Sequence, residues 1–451
     1  MVEKSIKMII DFTISNFGPF KDPVTLTFEA SKDKHLVSSY VREFSFANGK
    51  TMKLLRMALL YGANAAGKTT ILEALSLLDG LVTTPTNDVE AELDVNPFEF
   101  QDEVNPTRLS IKFIRLGIVY RYQLDLTKSG IICETLEYQA VPPDGIKFNL
   151  IYQRCRGDLQ SQFIFNFGTK FKLNKSETQK IHVELLPNIT MLSVLNRKMT
   201  IQNEMVQQAY LWFKEQLLGE VTPNTNLTNW VSRELDNKQF DRSVLLKTLN
   251  QAGIPIQSLE LMDRTLTSWE QDILQNAPDE ETRDRFSKLF ENRPKEVNTV
   301  YQIGQNSYRL SLERQESLGT QRYYGLAGLL SALCQEGIET DVNSKKTCKV
   351  LPIDEIEHSL HPDLLEHFIV TFLSDSSQSQ LIATTHYREF LQNILLFRDD
   401  VIWFVDKDDQ TLSSGLYCLE DVKTDAGLRA TSSVYNFYKH GRLGAVPKFE
   451  V

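Results

Sequence analysis

The segment Gly62-Ala63-Asn64-Ala65-Ala66-Gly67-Lys68-Thr69 sets a lysine and a hydroxyl directly after a glycine-bounded loop. Glycines let the backbone fold back and approach phosphate oxygens closely. The exposed N–H groups of such a loop, with the N-terminus of a following helix, favour an anion. Lys68 can bridge β- and γ-phosphates, and the Thr69 hydroxyl can ligate Mg²⁺. Thr70 extends the same candidate nucleotide-binding segment. A glycine-rich strand-to-helix turn without a ligand is the plain alternative. An apolar run before the loop (Met57 to Tyr61) and a helical pattern after it favour the phosphate reading.

Later residues supply matching chemistry. The apolar run Lys349 to Ile353 ends in Asp354-Glu355. A carboxylate at a strand end can hold Mg²⁺ or its water, the role open to Asp354, and Glu355 can polarise an attacking water. Pro352 lies inside that run and cannot donate to a ladder, so the strand must lose a bond or bulge there. A second apolar run, Gln380 to Thr384, leads into Thr385-His386, where the imidazole of His386 can bond a γ-phosphate and sense its loss. Ser317, in Glu316-Ser317-Leu318-Gly319-Thr320, precedes an apolar helix. Ser317, Gly319 and that helix N-terminus make either a second anion site or a plain helix cap. The candidate catalytic residues are therefore Glu355, His386 and Lys68, and the candidate metal ligands are Thr69 and Asp354.

These residues need elements to carry them. Met8 to Phe17 and Val24 to Phe28 alternate apolar and polar residues around Asn16-Phe-Gly-Pro-Phe20, the pattern of a hairpin. Leu109 to Tyr138 predicts two strands turning at Gly117, with less regular β structure to about Val183. Asn203 predicts the cap of a helix running to Leu218. Helices are also predicted near 243–251 and 280–291. Val297 to Leu312 predicts a hairpin turning at 304–307, followed by a helix over about 320–335. Val401 to Val405 and Gly415 to Leu419 predict two closing strands.

Bulk properties narrow the setting. The chain has 451 residues, 41% hydrophobic and 24% charged, enough for two or three lobes with a large core. A net charge of −10 lacks the overall basic footprint of a nucleic-acid binder. Cys133, Cys155, Cys334, Cys348 and Cys418 are scattered, which predicts reduced thiols. His358 and His361 have no convincing third metal ligand. No run approaches the roughly 18–20 apolar residues that span a bilayer. The charged first eight residues lack a signal-peptide core, so the expected location is cytoplasmic.

The order of these motifs resembles the ABC-type ATPase heads of the SMC and RecF kind. It resembles more closely the single-head ATPases of bacterial phage-defence and abortive-infection systems, including the ATPase of PARIS and OLD-related heads. The resemblance rests on Ile10 to Phe17, Gly62 to Thr70, Ser317 to Arg322, Leu351 to Pro362, Thr384 to His386 and Tyr438 to Pro447. It implies an α/β ABC-ATPase head: a mixed β-sheet core flanked by helices, an antiparallel β subdomain and an inserted helical lobe. Residues 1–195 and 295–451 would form the two halves of the head, with 196–294 as the lobe.

The resemblance further implies two heads sandwiching two ATPs. Ser317 and Gly319 of one copy would face the γ-phosphate held by Lys68 of the other, with 358–361 at the seam. Glu-Ser-Leu-Gly-Thr departs from the transporter-type Leu-Ser-Gly-Gly-Gln signature, and only Gln139 and Gln153 offer themselves as the Q-loop glutamine.

Three functions compete. One is the sensor and scaffold ATPase of a defence system, assembled as a dimer or larger ring and controlling a partner nuclease. The stretch after His386 is too short for a full Toprim nuclease domain, and 406–409 reads as a solvated turn. The others are an ATP-dependent DNA-binding repair protein and a slow ATP-binding scaffold. DNA or a phage component is a further candidate partner, and no membrane-coupling segment is evident. No guanine-reading NKxD motif is present, which favours ATP over GTP.

Overall fold

The computed structural model describes residues 7–446 except 47–48, 87, 89, 102–104, 140–146, 158–162, 198, 200–202, 240, 292, 335–348, 376–377, 394, 424–426 and 428–432. The chain divides into two compact units. The first is Met1–Pro223, Glu336–Ile356 and Ser377–Val451; the second is Asn224–Gln335 and Glu357–Ser376.

A five-stranded sheet in the order Val350–Ile353, Gln380–Thr384, Met57–Gly62, Ile402–Lys407, Ser414–Cys418 lies at the centre of the first unit. The first four strands are parallel and the last is antiparallel. Every residue of Val350–Ile353, Met57–Gly62 and Gln380–Thr384 is buried. Burial on both faces is why these strands read as unbroken apolar runs rather than as alternation. The Lys68–Thr83 helix follows Met57–Gly62 directly and buries Ile71, Leu72, Leu75, Leu78 and Val82, a helical i, i+3, i+4 stripe.

A seven-stranded antiparallel sheet completes the unit, in the order Phe163–Phe167, Asn149–Arg156, Gly130–Gln139, Ile118–Thr127, Thr107–Arg115, Ile9–Ser15, Val24–Thr27. Leu116 (φ 52°) and Gly117 (φ 76°) make the tight left-handed turn between Thr107–Arg115 and Ile118–Thr127. On one face Phe113 stacks on Trp212 of the Glu204–Gln216 helix at 4.4 Å between ring centroids. Asn203 caps that helix by accepting from the Val206 N–H. The helix thus belongs to the first unit, although the sequence places it in an inserted lobe.

Buried Glu134 accepts from the hydroxyls of Tyr122 and Tyr152, from Arg154 Nε, and from the N–H groups of Met191 and Leu192. Five donors converge on one carboxyl group, so its oxygens stay hydrogen-bonded at full burial.

The second unit contains six helices among its described residues: Leu227–Asp236, Arg242–Gln251, Ser268–Gln275, Glu280–Glu291, Leu318–Cys334 and Pro362–Asp375. A three-stranded sheet of Ser258–Met262, Glu296–Ile303 and Asn306–Ser311 joins them. Gly325 and Gly328 let the Leu318–Cys334 helix press against Leu227–Asp236. A Cβ on them would lie 2.4 Å from Leu227 Cβ and 2.2 Å from Val231 Cγ2.

Two expectations need correction, and the alternatives left open at Pro352 are decided. Residues Lys175–Glu184 form a helix rather than β structure, started by an Asn174–Glu177 capping box. Cys133 and Cys155 face each other on adjacent strands and form a disulfide, so the thiols are not all reduced; Cys418 is free and buried. Cys348 lies outside the described residues. Pro352 gives up a bond rather than bulging, as one of the two expected alternatives had it, and it keeps its register with Gln380–Thr384. On its other flank the segment 217–221 makes only isolated bridges, at Leu217 and Val221, so no regular ladder partner there needs the missing N–H.

Asp79, in the Lys68–Thr83 helix, yields a pH prediction. Its Oδ2 accepts from the Thr83 hydroxyl, while Oδ1 has no hydrogen-bond partner among the described residues. Burial pushes this carboxyl from the ordinary 3.8 up to about 7. A raised folded-state pKa gives stability that is full below 3.8 and lost as pH rises through about 7. Asp79→Asn should therefore gain on the wild type between those values and lead by at least about 1 kcal/mol at pH 8. Chemical denaturation from pH 4 to 8.5 tests this, and parallel stability curves would refute it.

Candidate functional site

The strand Met57–Gly62 delivers the chain into the phosphate loop, and the Lys68–Thr83 helix takes it away. Gly62 has no room for a side chain, because a Cβ would sit 2.6 Å from the Val405 carbonyl oxygen. Gly67 adopts φ 109°, and a Cβ there would meet Pro19 at 2.5 Å. Ala65 is left-handed at φ 59°, and Asn64 and Ala65 are exposed at the crown. The helix begins on Gly67 with no side-chain cap, which leaves its first turn to backbone donors.

Side chains from distant segments brace the loop. Ser414 Oγ donates to the Ala66 carbonyl at 2.6 Å. The Asn16–Lys21 turn lies against Gly67 through Pro19 and Phe20, and Gly18 lies close against Thr70. Asn16 itself is held from four sides: its side chain donates to the Asn105 carbonyl and accepts from the Phe98 N–H and Gln101, and its own carbonyl accepts from Thr107. Lys68 is buried, its Nζ donating to the carbonyls of Gly62 at 3.0 Å and Ala63 at 3.1 Å.

The acidic strand end lies beside this loop. Thr69 Oγ1 donates to Asp354 at 3.0 Å (Oδ1) and 3.1 Å (Oδ2), across 285 positions of sequence. A hydroxyl whose proton goes to a carboxylate keeps its lone pairs for a cation. Thr69 and Asp354 thus present hard oxygen donors, the set that Mg²⁺ prefers. Thr384, at the end of the next strand, donates to Asp354 Oδ1 at 2.6 Å and accepts from the Glu355 N–H at 2.8 Å. Glu355 is half-buried and left-handed at φ 45°. His386 is exposed two residues beyond Thr384.

More negative charge surrounds Asp354. Glu220, on the segment flanking the Asp354 strand, accepts from Ser76 Oγ at 3.2 Å. Burial, then the Asp354 and Glu73 charges, raise its pKa, against the Ser76 bond. Glu73, on the loop's helix, is raised by burial and by Asp354 and Asp94. Carboxylates that disfavour their own ionisation make an environment that a cation would relieve.

The second unit holds Ser317 and Gly319. Ser317 is exposed, and its Oγ accepts from the Thr320 N–H at 3.1 Å, so it does cap the Leu318–Cys334 helix. Glu316 is turned away to the sheet, accepting from Thr299 Oγ1 and Tyr301. A Cβ on Gly319 would lie 3.0 Å from the Ser359 carbonyl oxygen. His358 and His361 are exposed, and no group of three metal-binding side chains occurs among the described residues.

Gln139 and Gln153 lie in the antiparallel sheet, and Gln153 bonds Thr135 and Asn166 there. Neither sits on the five-stranded sheet that carries the loop. Asp406 accepts from the Ala445 N–H and Asp408 caps its own turn, consistent with a structural reading of 406–409. No described helix is long and apolar enough to cross a membrane.

The sequence alone assigns no role in the site to Thr384, Ser414, Glu73 or Glu220. Thr384 carried a faint signal, a hydroxyl residue closing an apolar strand. Glu73 lies one turn beyond Thr69 on the loop's own helix, where a polar residue is unremarkable, and Ser414 and Glu220 carried no signal, because only the fold brings them to the loop.

Solved structures similar to the chain include three SMC heads. One is an SMC head bound to the C-terminal winged-helix domain of ScpA (13% identity, 91% of this chain and 97% of that one, TM-score 0.39). Another is the SMC head domain from Thermotoga maritima (12%, 91% and 98%, TM-score 0.38). A third is the Pyrococcus furiosus Smc head with an extended coiled coil, bound to the C-terminal domain of ScpA (10%, 94% and 99%, TM-score 0.36). No curated protein matches the chain. A family model described as "AAA domain, putative AbiEii toxin, Type IV TA system" matches residues 57–188 and 216–391. Those segments cover more than half of the chain and include both the phosphate loop and Asp354, so the chain, with its mixed five-stranded sheet and its separate antiparallel sheet, belongs to this AAA-domain family.

Proposed function

We propose that the chain binds ATP with Mg²⁺ and hydrolyses it at a site completed by a second copy of itself. The observation that carries this reading is the bond between Thr69 and Asp354, which joins the phosphate loop to the acidic strand end. In this reading the loop amides and Lys68 hold the β- and γ-phosphates. Thr69 and Asp354 hold the magnesium ion, which neutralises phosphate charge when bound. Glu355 accepts a proton from the attacking water, and His386 bonds the γ-phosphate and registers its departure.

Ser317 and Gly319 of the second copy supply the facing donors. The exposure of Ser317 and of Leu318 (70%) supports this, since both are available to a partner surface. The family's toxin–antitoxin description favours a cellular role in defence: a sensor and scaffold ATPase that controls an effector, a nuclease encoded beside it.

Lys68→Ala should weaken ATP binding at least about 100-fold, given the loss of the loop's cation. Equilibrium binding of labelled ATP decides the point; unchanged affinity would refute the assignment. Glu355→Gln should bind ATP normally and hydrolyse it roughly 10²–10⁴-fold more slowly, the usual range for a lost general base. A turnover equal to that of the wild type would instead support a scaffold that uses nucleotide only for assembly. Ser317→Arg should abolish ATP-dependent dimerisation and leave monomer binding intact. Light scattering with and without ATP measures this, and a dimer still formed by the variant would end the cross-copy model. Phage plating on cells carrying the chain with its neighbouring gene should show protection that Lys68→Ala removes; equal protection would dissociate ATP from the defence role.

A further inference from the structure

Thr384 does more in this site than end a strand. It is fully buried, and its register in the parallel sheet is fixed on one side by Leu60, at the mouth of the phosphate loop. Its neighbour Ala383 pairs with Ile353 on the other side. One hydroxyl therefore lies level with both chemically active strand ends. It donates to Asp354 Oδ1 at 2.6 Å and accepts from the Glu355 N–H at 2.8 Å, and the Thr384 carbonyl accepts from the Ile356 N–H at 3.1 Å. Three consecutive residues, 354 to 356, are thus tied to one threonine.

The tie matters because Glu355 is left-handed, at φ 45°. A non-glycine residue enters that region only where its surroundings hold it there. The Glu355 N–H bond to Thr384 fixes the peptide plane that sets φ, and φ sets where the Glu355 carboxylate points. The same hydroxyl orders Asp354 Oδ1, which also accepts from Thr69. A metal ligand held by an outer hydrogen bond binds its ion more tightly than one left to rotate.

We propose that Thr384 is the positioning residue of the site: its hydroxyl sets Asp354 for the cation and locks the Glu355 backbone so that its carboxylate faces the attacking water. This rests on the ATPase reading above. It adds a third residue to the Asp354–Glu355 pair and assigns the hydroxyl, not the bulk of the side chain, as the working part. The step itself moves no electrons through Thr384; its proton stays on Oγ1, shared with Asp354.

Thr384→Val removes the hydroxyl at nearly constant volume, and Thr384→Ser keeps the hydroxyl at smaller volume. Thr384→Val should retain ATP affinity within about threefold, because Lys68 and the loop are untouched. Its turnover should fall roughly 10–100-fold, and the Mg²⁺ concentration that half-saturates turnover should rise about tenfold, the usual effect of losing a ligand's hydrogen-bond partner. In the nucleotide-free protein, amide exchange at Glu355 should speed up at least about tenfold, consistent with the loss of one hydrogen bond. Thr384→Ser should stay near the wild type in all of these.

Wild-type turnover and wild-type Glu355 exchange in Thr384→Val would overturn the proposal. So would a Thr384→Ser variant as impaired as Thr384→Val, since bulk would then be what counts. If Thr384→Val does not fold, Thr384→Ala takes its place in the same comparison. If the wild type itself proves unable to hydrolyse ATP, the functional reading falls, while amide exchange at Glu355 still decides whether the hydroxyl holds that backbone.

Discussion

A single buried carboxylate, Asp354, organises the nucleotide half of this molecule. It collects hydroxyl protons from Thr69 and Thr384, which belong to segments far apart in the chain. A carboxylate buried this deeply is tolerable only with such donors. The donors reach it because parallel strands end at the same edge of a sheet. Ile353, Ala383 and Leu59 share one level of the ladder, and the next residues on the first two strands, Asp354 and Thr384, carry the polar groups of the site. Sheet register is therefore the constraint on which the site depends. A one-residue slip of Gln380–Thr384 would reverse the facing of Thr384 and leave Asp354 one donor short.

The phosphate loop is held by the same logic, from the outside. Its shape needs two glycine positions that the Val405 carbonyl and Pro19 would forbid to any side chain. Around them, Ser414 takes up the Ala66 carbonyl and the Asn16–Lys21 turn closes over Gly67. Loops with exposed amides are usually mobile, whereas binding sites work best when their geometry is fixed beforehand. Here the fixing groups come from the first hairpin and the last strand of the central sheet. The antiparallel sheet, whose strand Ile9–Ser15 leads into the Asn16 turn, thereby acts on the loop as well as on the core.

Much of this was legible in the sequence because its signals are local. The phosphate loop, the Asp354–Glu355 strand end, the Asn203 cap and the 297–312 hairpin each follow from residues within a few positions of one another. The failures share one physical cause: dependence on packing. The Lys175–Glu184 helix buries only Ile181, so it has almost no apolar stripe, and only its capping box could have revealed it. The Cys133–Cys155 pair needs the register of two strands to be known first. Gln139 and Gln153, weak candidates by residue type alone, lie on the antiparallel sheet and not on the five-stranded sheet that carries the loop. The segment that flanks the Asp354 strand is 217–221, which has no strand pattern of its own and carries a glutamate at position 220.

The region just past Asp354 breaks local rules twice, with Glu355 at φ 45° and Ser359 at φ 59°. Each such residue costs of order 1–3 kcal/mol and persists only when neighbours over-determine it. For Glu355 the neighbour is Thr384. Beside Ser359, Gly319 approaches so closely that a Cβ there would lie 3.0 Å from the Ser359 carbonyl oxygen, and a larger residue at 319 would need that carbonyl to give by a few tenths of an ångström. A tight packing contact independent of any phosphate therefore bears on Gly319. The same glycine that the nucleotide reading assigns to a partner's γ-phosphate also lies close to Ser317 Oγ and the Ser359 carbonyl within one unit. A substitution at 319 would therefore press on that contact as well as on any phosphate, whereas Ser317 is exposed and the structural bonds of its hydroxyl are confined to the first turn of its own helix.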